Sequence, residues 1–325
     1  MIKIQNLVKN YGSIEAVKNI SFTVEEGEIV GFLGPNGAGK STVMNILTGY
    51  LSSTSGEVEV NGVNVLENPL DAKRQIGYLP EQPPLYPDMT VKEYLGFVFD
   101  LKGCKLPKKE HLAEICEVVK IKDVYNRVIR NLSKGYRQRV GIAQALIGNP
   151  KVVIFDEPTV GLDPKQIIEI RSLIRELGRH HTVILSTHIL PEVQAVCDRI
   201  VIINRGRIVA NEKTTEISRA VQGAGKMSVK ICGPEKDVYS ALRAIPGVQS
   251  VTVLGAQDAD SITYYVESER GLDIRKVLFR TVAQKGWTMI GMEAMGVNLE
   301  DIFLSVVEDP ADATAKKKNR KGGNV

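Results

Sequence analysis

Three stretches of the chain are apolar without a break: Ile29-Val30-Gly31-Phe32-Leu33, Val152-Val153-Ile154-Phe155 and Val183-Ile184-Leu185, the last running on into Ser186. Short continuous runs of this kind predict strands covered on both faces, as in a parallel sheet. Other stretches alternate. Ile2-Lys3-Ile4 and Glu57-Val58-Glu59-Val60, the latter ending at Asn61-Gly62, predict antiparallel strands of a smaller subsheet with one face wet. From about Val91 to Ile147 the strand signal fades and the pattern is mostly helical. The expectation for residues 1–218 is therefore an α/β domain with a mixed sheet, an antiparallel subsheet and a helical subdomain over about 91–147.

A polar, glycine-bearing joint follows, Arg219-Ala220-Val221-Gln222-Gly223-Ala224-Gly225, so residues 219–226 are expected to link two domains. Beyond it, strands are expected at Met227–Ile231, Val248–Leu254, Ile262–Val266 and Thr288–Met292. Helices are expected at Asp237–Ala244, before Pro246-Gly247, and at Asp273–Gln284, closed by Gly286. The order βαββαβ is that of a ferredoxin-like α+β domain, taken to span 227–308 with a terminal helix at Leu299–Val307. Residues 309–325 carry Lys316-Lys317-Lys318-Asn319-Arg320-Lys321 and are expected to form a solvated, disordered tail; weak attraction to anionic lipid is a sharper alternative.

Composition narrows the class only a little. The 325 residues are 43% hydrophobic and 25% charged, ordinary for a globular chain and long enough for two domains. The net charge of +4 gives no reason to expect nucleic acid as a partner. No stretch approaches the apolar length of a membrane span, and Met1-Ile2-Lys3-Ile4 does not begin a signal peptide, so any membrane role is expected to come through a partner. Cys104, Cys116, Cys197 and Cys232 are scattered with no Cys-x-x-Cys pair, which suits free thiols in a reducing compartment.

The chemistry lies at the ends of the buried strands. Gly34-Pro35-Asn36-Gly37-Ala38-Gly39-Lys40-Ser41-Thr42 follows the strand Ile29–Leu33 and precedes the helical run Val43–Leu47. This strand, loop and helix form the context a phosphate-binding loop requires. Glycines turn backbone N–H groups inward around phosphate oxygens, and the helix that follows presents the positive end of its dipole. Lys40 is expected to reach the β- and γ-phosphates and the Ser41 hydroxyl to ligate Mg²⁺. The strand Val152–Phe155 ends in Asp156-Glu157. Asp156 suits contact with Mg²⁺, and Glu157, at the strand tip, is placed to polarise a water for attack on a γ-phosphate. Ser133, before the helical run that reaches Ile147, is a good N-cap.

Leu132-Ser133-Lys134-Gly135-Tyr136, lying between the phosphate loop and the acidic pair, resembles the signature sequence of ATP-binding-cassette (ABC) ATPases, usually Leu-Ser-Gly-Gly-Gln. The resemblance extends along the chain from Tyr11 to His188. Tyr11 matches the family's adenine-stacking aromatic. Gln82, in Tyr78-Leu79-Pro80-Glu81-Gln82, matches the glutamine that joins the active site and its Mg²⁺ to the transmembrane partner. Asp163, in Gly161-Leu162-Asp163-Pro164, matches an Asp that crosses the dimer interface, and His188, in Leu185-Ser186-Thr187-His188, matches a histidine contacting the γ-phosphate. Lys134 and Tyr136 depart from the signature, whereas Ser133 and Gly135 are retained.

The resemblance implies a subunit that dimerises around two MgATP, each ATP lying between the phosphate loop of one copy and Ser133 and Gly135 of the other. Glu157, His188, Lys40 and Gln82 would carry the hydrolysis. The overall match, including Glu81-Gln82-Pro83-Pro84-Leu85-Tyr86-Pro87 and the C-terminal extension, is similar to bacterial ABC-2-type exporters of the drug-efflux and gliding-motility kinds. In those the permease is a separate polypeptide, and the ATPase sits on the cytoplasmic face of the cell membrane. The alternative is a non-transport ABC ATPase acting on a soluble macromolecular machine. The C-terminal domain is expected to be regulatory or dimerising.

Overall fold

The computed structural model describes residues 1–214, 226–258, 261–269 and 272–294. The chain divides into two compact units, Met1–Thr214 and Thr215–Val325.

In the first unit, β1 (Ile2–Tyr11) and β2 (Ile14–Val24) form a long antiparallel hairpin. β4 (Ser55–Val60) pairs with the other edge of β1, and short β5 (Val63–Asn64) lies beyond it, giving the order β2-β1-β4-β5. The alternation of Ile2-Lys3-Ile4 predicts only the first part of β1. Register shifts after Ile4 and Leu7 break the period of two, and Asn6 turns through φ 49°, so the strand continues to Tyr11 without a continuous pattern.

The second sheet has six strands in the order β10-β9-β3-β8-β7-β6. β3 (Ile29–Leu33), β7 (Val152–Asp156) and β8 (Thr182–Thr187) are buried at every residue, as their unbroken apolar runs require. β6 (Ile76–Leu79) closes one edge in parallel with β7, and β9 (Arg199–Asn204) runs parallel to β3. Only β10 (Arg207–Lys213) runs antiparallel, to β9.

One core joins the two sheets and α1 (Lys40–Leu47): Ile2, Ile4, Phe22, Phe32, Val43, Met44 and Ile46 all belong to it. The Phe22 and Phe32 rings stack at 5.4 Å across the layers. Each such side chain contributes roughly 1.5–3 kcal/mol through burial. On β3, Gly31 admits α7 (Leu190–Val196): a Cβ there would lie 2.1 Å from Val193 Cγ1.

The helical stretch contains α3 (Val91–Leu101), α4 (Lys108–Val118) and α5 (Lys134–Leu146). α3 begins with a capping box, in which Thr90 N–H donates to Glu93 Oε2 at 2.8 Å and Glu93 N–H to Thr90 Oγ1 at 3.2 Å. At the other end of α5, Lys102 Nζ donates to the carbonyls of Gln144 at 3.1 Å and Ile147 at 2.9 Å, placing a cation on a helix C-terminus. α2 (Pro69–Gln75) leads into β6, and α6 (Pro164–Leu177) connects β7 to β8.

The second unit contains β11 (Lys226–Cys232), α8 (Glu235–Arg243), β12 (Val248–Asp258), β13 (Ser261–Ser268), α9 (Arg275–Gln284) and β14 (Thr288–Ala294). Its sheet is antiparallel throughout, ordered β12-β13-β11-β14, which is the ferredoxin-like arrangement of βαββαβ. Val238, Leu242, Leu278 and Val282 bury one face of the two helices with Val229, Ile231, Tyr264 and Val266 of the sheet. The joint over 219–225, the helix expected at Leu299–Val307 and the basic tail lie outside the described residues.

Candidate functional site

β3 is followed by the loop from Gly34 to Gly39 and then by α1. Gly37 and Gly39 have φ of 79° and 108°, conformations that favour glycine. Gly34 lies so close to β9 that a Cβ would come within 2.4 Å of the Ile203 carbonyl oxygen. Ala38 is tied down from outside, its carbonyl accepting from Gly206 N–H at 2.9 Å. Gly39 provides no side-chain cap for α1, whereas α5 and α6 are capped by Ser133 and Asp163. The first N–H groups of α1 are therefore left for an anion. The Lys40 ammonium, 6% exposed, donates to the carbonyls of Gly34 at 2.8 Å and Pro35 at 3.3 Å. Ser41 and Thr42 open the helix behind it, with Ser41 exposed. Pro35 and Asn36 complete the loop.

The tip of β7 faces this loop. Glu157 Oε1 lies 3.6 Å from Lys40 Nζ and 2.9 Å from His188 Nδ1. Glu157 is held at φ 48° while its N–H donates to the Ser186 carbonyl at 2.8 Å. A glutamate in the left-handed region is the kind of backbone strain that concentrates at functional sites. Lys40, Glu157 and His188, far apart in sequence, thus meet around one carboxylate oxygen. Asp156, 4% exposed, has its carboxyl raised above the usual carboxylate range, first by burial. The Ser186 hydroxyl and Lys40 pull the other way, while Glu157 and Glu81 push up. Asp156 Oδ1 has no hydrogen-bond partner among the described residues. A buried carboxylate oxygen left bare and an exposed Ser41 hydroxyl are hard-oxygen donors of the kind that fits Mg²⁺.

The other expected residues fall in separate places. Gln82 follows the end of β6, the strand beside β7, and is exposed. Tyr11 ends β1 and is 47% exposed, with Lys9 Nζ 5.3 Å from the ring centre. Ser133 caps α5 through Tyr136 N–H at 3.4 Å, and Asp163 caps α6 through Gln166 N–H at 2.9 Å. These two caps form one cluster. A Cβ on Gly135 would lie 2.6 Å from Gln166 Cδ, and one on Gly161 would lie 2.1 Å from Lys134 Nζ. Among the described residues, no hydrogen bond or ion pair joins this cluster to the loop 34–42. Tyr136, the second departure from the signature, donates its hydroxyl to Asp123 Oδ2 at 2.6 Å.

Sequence reasoning missed the support around Glu157. Thr187 donates toward Glu192 Oε2 at 3.0 Å and lies 3.3 Å from Glu157 Oε2. Thr159 donates to Glu192 Oε1 as well. A glutamate one helical turn past His188 gives no signal of its own in a single sequence.

An uncapped helix behind a glycine loop, a lysine folded into that loop and an acidic strand tip beside it define a P-loop nucleoside triphosphatase. The attached antiparallel sheet and helical subdomain give it the ABC architecture. The ABC transporter family model matches residues 17–160. The uncharacterized ABC transporter ATP-binding protein YxlF of Bacillus subtilis is 37% identical over 309 residues, covering 94% of this chain and 99% of that protein. The linearmycin resistance ATP-binding protein LnrL of the same organism is 34% identical over 255 residues, 78% of this chain and 82% of its own. The dimeric post-hydrolysis state of the ATP-binding cassette MJ0796, bound to ADP and Pi, is 30% identical with a TM-score of 0.60, over 66% of this chain and 99% of that one. The chain belongs to the ABC transporter ATP-binding proteins and is an ABC ATPase.

Proposed function

We propose that this chain is the ATP-hydrolysing subunit of a bacterial exporter, acting as a dimer on the cytoplasmic face of the membrane with a separate ABC-2-type permease. The observation that carries the reading is the meeting of Lys40, Glu157 and His188 beside the uncapped N-terminus of α1. Lys40 holds the β- and γ-phosphates, Glu157 takes the proton of the attacking water, and His188 orients Glu157 and faces the γ-phosphate. Ser41, Asp156 and Gln82 would hold Mg²⁺, which supplies charge neutralisation between the phosphates. Tyr11 stacks on the adenine.

The separation of the Ser133, Gly135 and Asp163 cluster from the phosphate loop supports a site completed by a second copy, as does the dimeric state of the MJ0796 cassette. Export of a toxic compound is supported by the likeness to the linearmycin resistance protein. A groove of about 560 Å³ lined by Tyr50, Tyr78, Pro80, Pro84 and Lys102 lies beside the Gln82 segment and suits a docked permease segment. No helix among the described residues is long and apolar enough to cross a membrane, so the spanning part is assigned to the partner.

The test is affinity isolation of tagged Glu157→Gln protein from detergent-solubilised membranes with ATP and Mg²⁺. Recovery of a polytopic membrane protein in stoichiometric amount is expected. Recovery of ribosomes or another soluble assembly, with no membrane partner, overturns the reading.

A further inference from the structure

Behind Glu157 lies a second carboxylate that the chemistry above does not use. Glu192, in the first turn of α7, is 1% exposed. A carboxylate buried so deeply calls for pairing and hydrogen bonds. Its partners come from three segments. Oε1 accepts from the Thr159 hydroxyl, Oε2 accepts from the Thr187 hydroxyl at 3.0 Å, and Arg171 Nη2 of α6 lies 3.8 Å from Oε1.

Each segment leads to part of the site. Thr187 ends β8, precedes His188 and accepts from Ile189 N–H at 3.1 Å. Its hydroxyl has one proton and two carboxylates in reach, Glu192 Oε2 at 3.0 Å and Glu157 Oε2 at 3.3 Å. The shorter contact gives the proton to Glu192 and fixes the hydroxyl against the back of Glu157. Thr159 starts the loop to Asp163, its carbonyl accepting from Leu162 N–H at 3.1 Å. That loop and α6 touch the start of α5 through the Lys134–Gly161 and Gln166–Gly135 contacts.

We propose that Glu192 is a positioning residue that locks the His188 segment to the 159–163 loop. When Glu157 and His188 close on a γ-phosphate, Asp163 and the Ser133 end of α5 move with them. Without Glu192 the Glu157 and His188 half of one composite site and the Ser133 and Asp163 half that the same chain gives to the other are set independently. The inference rests on the reading of Glu157 as the base and Ser133 as a phosphate contact.

Steady-state ATPase kinetics of the full chain test it, using Glu192→Gln, Thr159→Val, Thr159→Ser and the Glu192→Gln/Thr159→Val pair. Glu157→Gln serves as control, and melting curves are recorded for each. Misplacing a reacting group by a fraction of an ångström predicts a kcat lower by about 10-fold in Glu192→Gln and in Thr159→Val, with KM for MgATP within about 3-fold. Thr159→Ser, which restores the hydroxyl, should recover the parent kcat. The pair should be no slower than its slower member, because both changes cut one link. A plug in the core would instead lower the melting temperature and leave kcat per folded molecule unchanged. A kcat within about 2-fold of the parent in both single variants, or losses that multiply in the pair, overturns the proposal. If Glu157→Gln keeps turning over, the reading of the base fails. If Glu157→Gln is dead while the Glu192 and Thr159 variants match the parent, this inference alone fails.

Discussion

Asp156→Asn separates what the tip of β7 does for function from what it costs in stability. Asp156 is 4% exposed, its Oδ1 has no hydrogen-bond partner among the described residues, and its carboxyl is raised mainly by burial. A buried acceptor left unmade costs about 1–3 kcal/mol, more when charged. Asparagine keeps the shape and removes the charge, but its amide needs partners of its own, so a net gain of about 1 kcal/mol is expected without ligand. For a unit of this size that raises the melting temperature by about 2–4 °C. The sign with pH follows from the raised carboxyl. Protonation restores the folded state, so the parent loses stability as pH rises from the unfolded value of about 3.9 through the higher folded one. The advantage of the variant should thus vanish below about pH 4 and grow as pH rises above it. Scanning calorimetry of both proteins, with and without MgATP, checks this. The parent should gain stability from MgATP beyond what ATP gives in EDTA, and the variant should not. A variant less stable than the parent without ligand at pH 7, or one that gains as much from Mg²⁺, refutes the reasoning.

Lys40→Ala removes an ammonium held by Gly34 and Pro35 carbonyls beside Glu157, and calorimetric titration should show ATP affinity lower by at least about 10-fold. Tyr11→Ala should weaken ATP and GTP alike in a competition titration, since stacking reads no base edge; a loss confined to one nucleotide contradicts that. In Glu28, burial raises the carboxyl, but Arg199, donating to it at 2.6 and 2.8 Å, and the other hydrogen bonds and charges around it outweigh burial and leave it lowered. A lowered carboxyl gives stability that is present above its unfolded value and lost as pH falls through the folded one. Glu28→Gln should therefore melt below the parent at pH 7, with the gap closing below about pH 4.

The buried strands of the central sheet and the phosphate loop were legible because their signals are local. β3, β7 and β8 are buried on both faces and so carry unbroken apolar runs, and the loop needs glycines at fixed spacing. β1 and β2 were harder to read, since bulges at Ile4, Leu7 and Lys9 break the alternation that marks a half-wet strand. The residues around Glu157 divide the same way. Glu157 could be placed from its strand end and His188 through the family resemblance, whereas Glu192, Thr159 and Arg171 form a buried cluster from three segments that becomes visible only once α6 and α7 are packed. The role of Lys134 at the signature is likewise a matter of packing, because its ammonium occupies the space left by the missing side chain of Gly161.

The account stands most directly on Glu157 as the base of a site completed by a second copy. Light scattering of purified Glu157→Gln protein, with and without MgATP, followed by identification of the nucleotide retained, tests both halves together. The account predicts a monomer without nucleotide and a dimer with MgATP that still contains ATP after hours. A protein that stays monomeric with ATP bound, or a dimer that has converted its ATP to ADP at the parent rate, contradicts it.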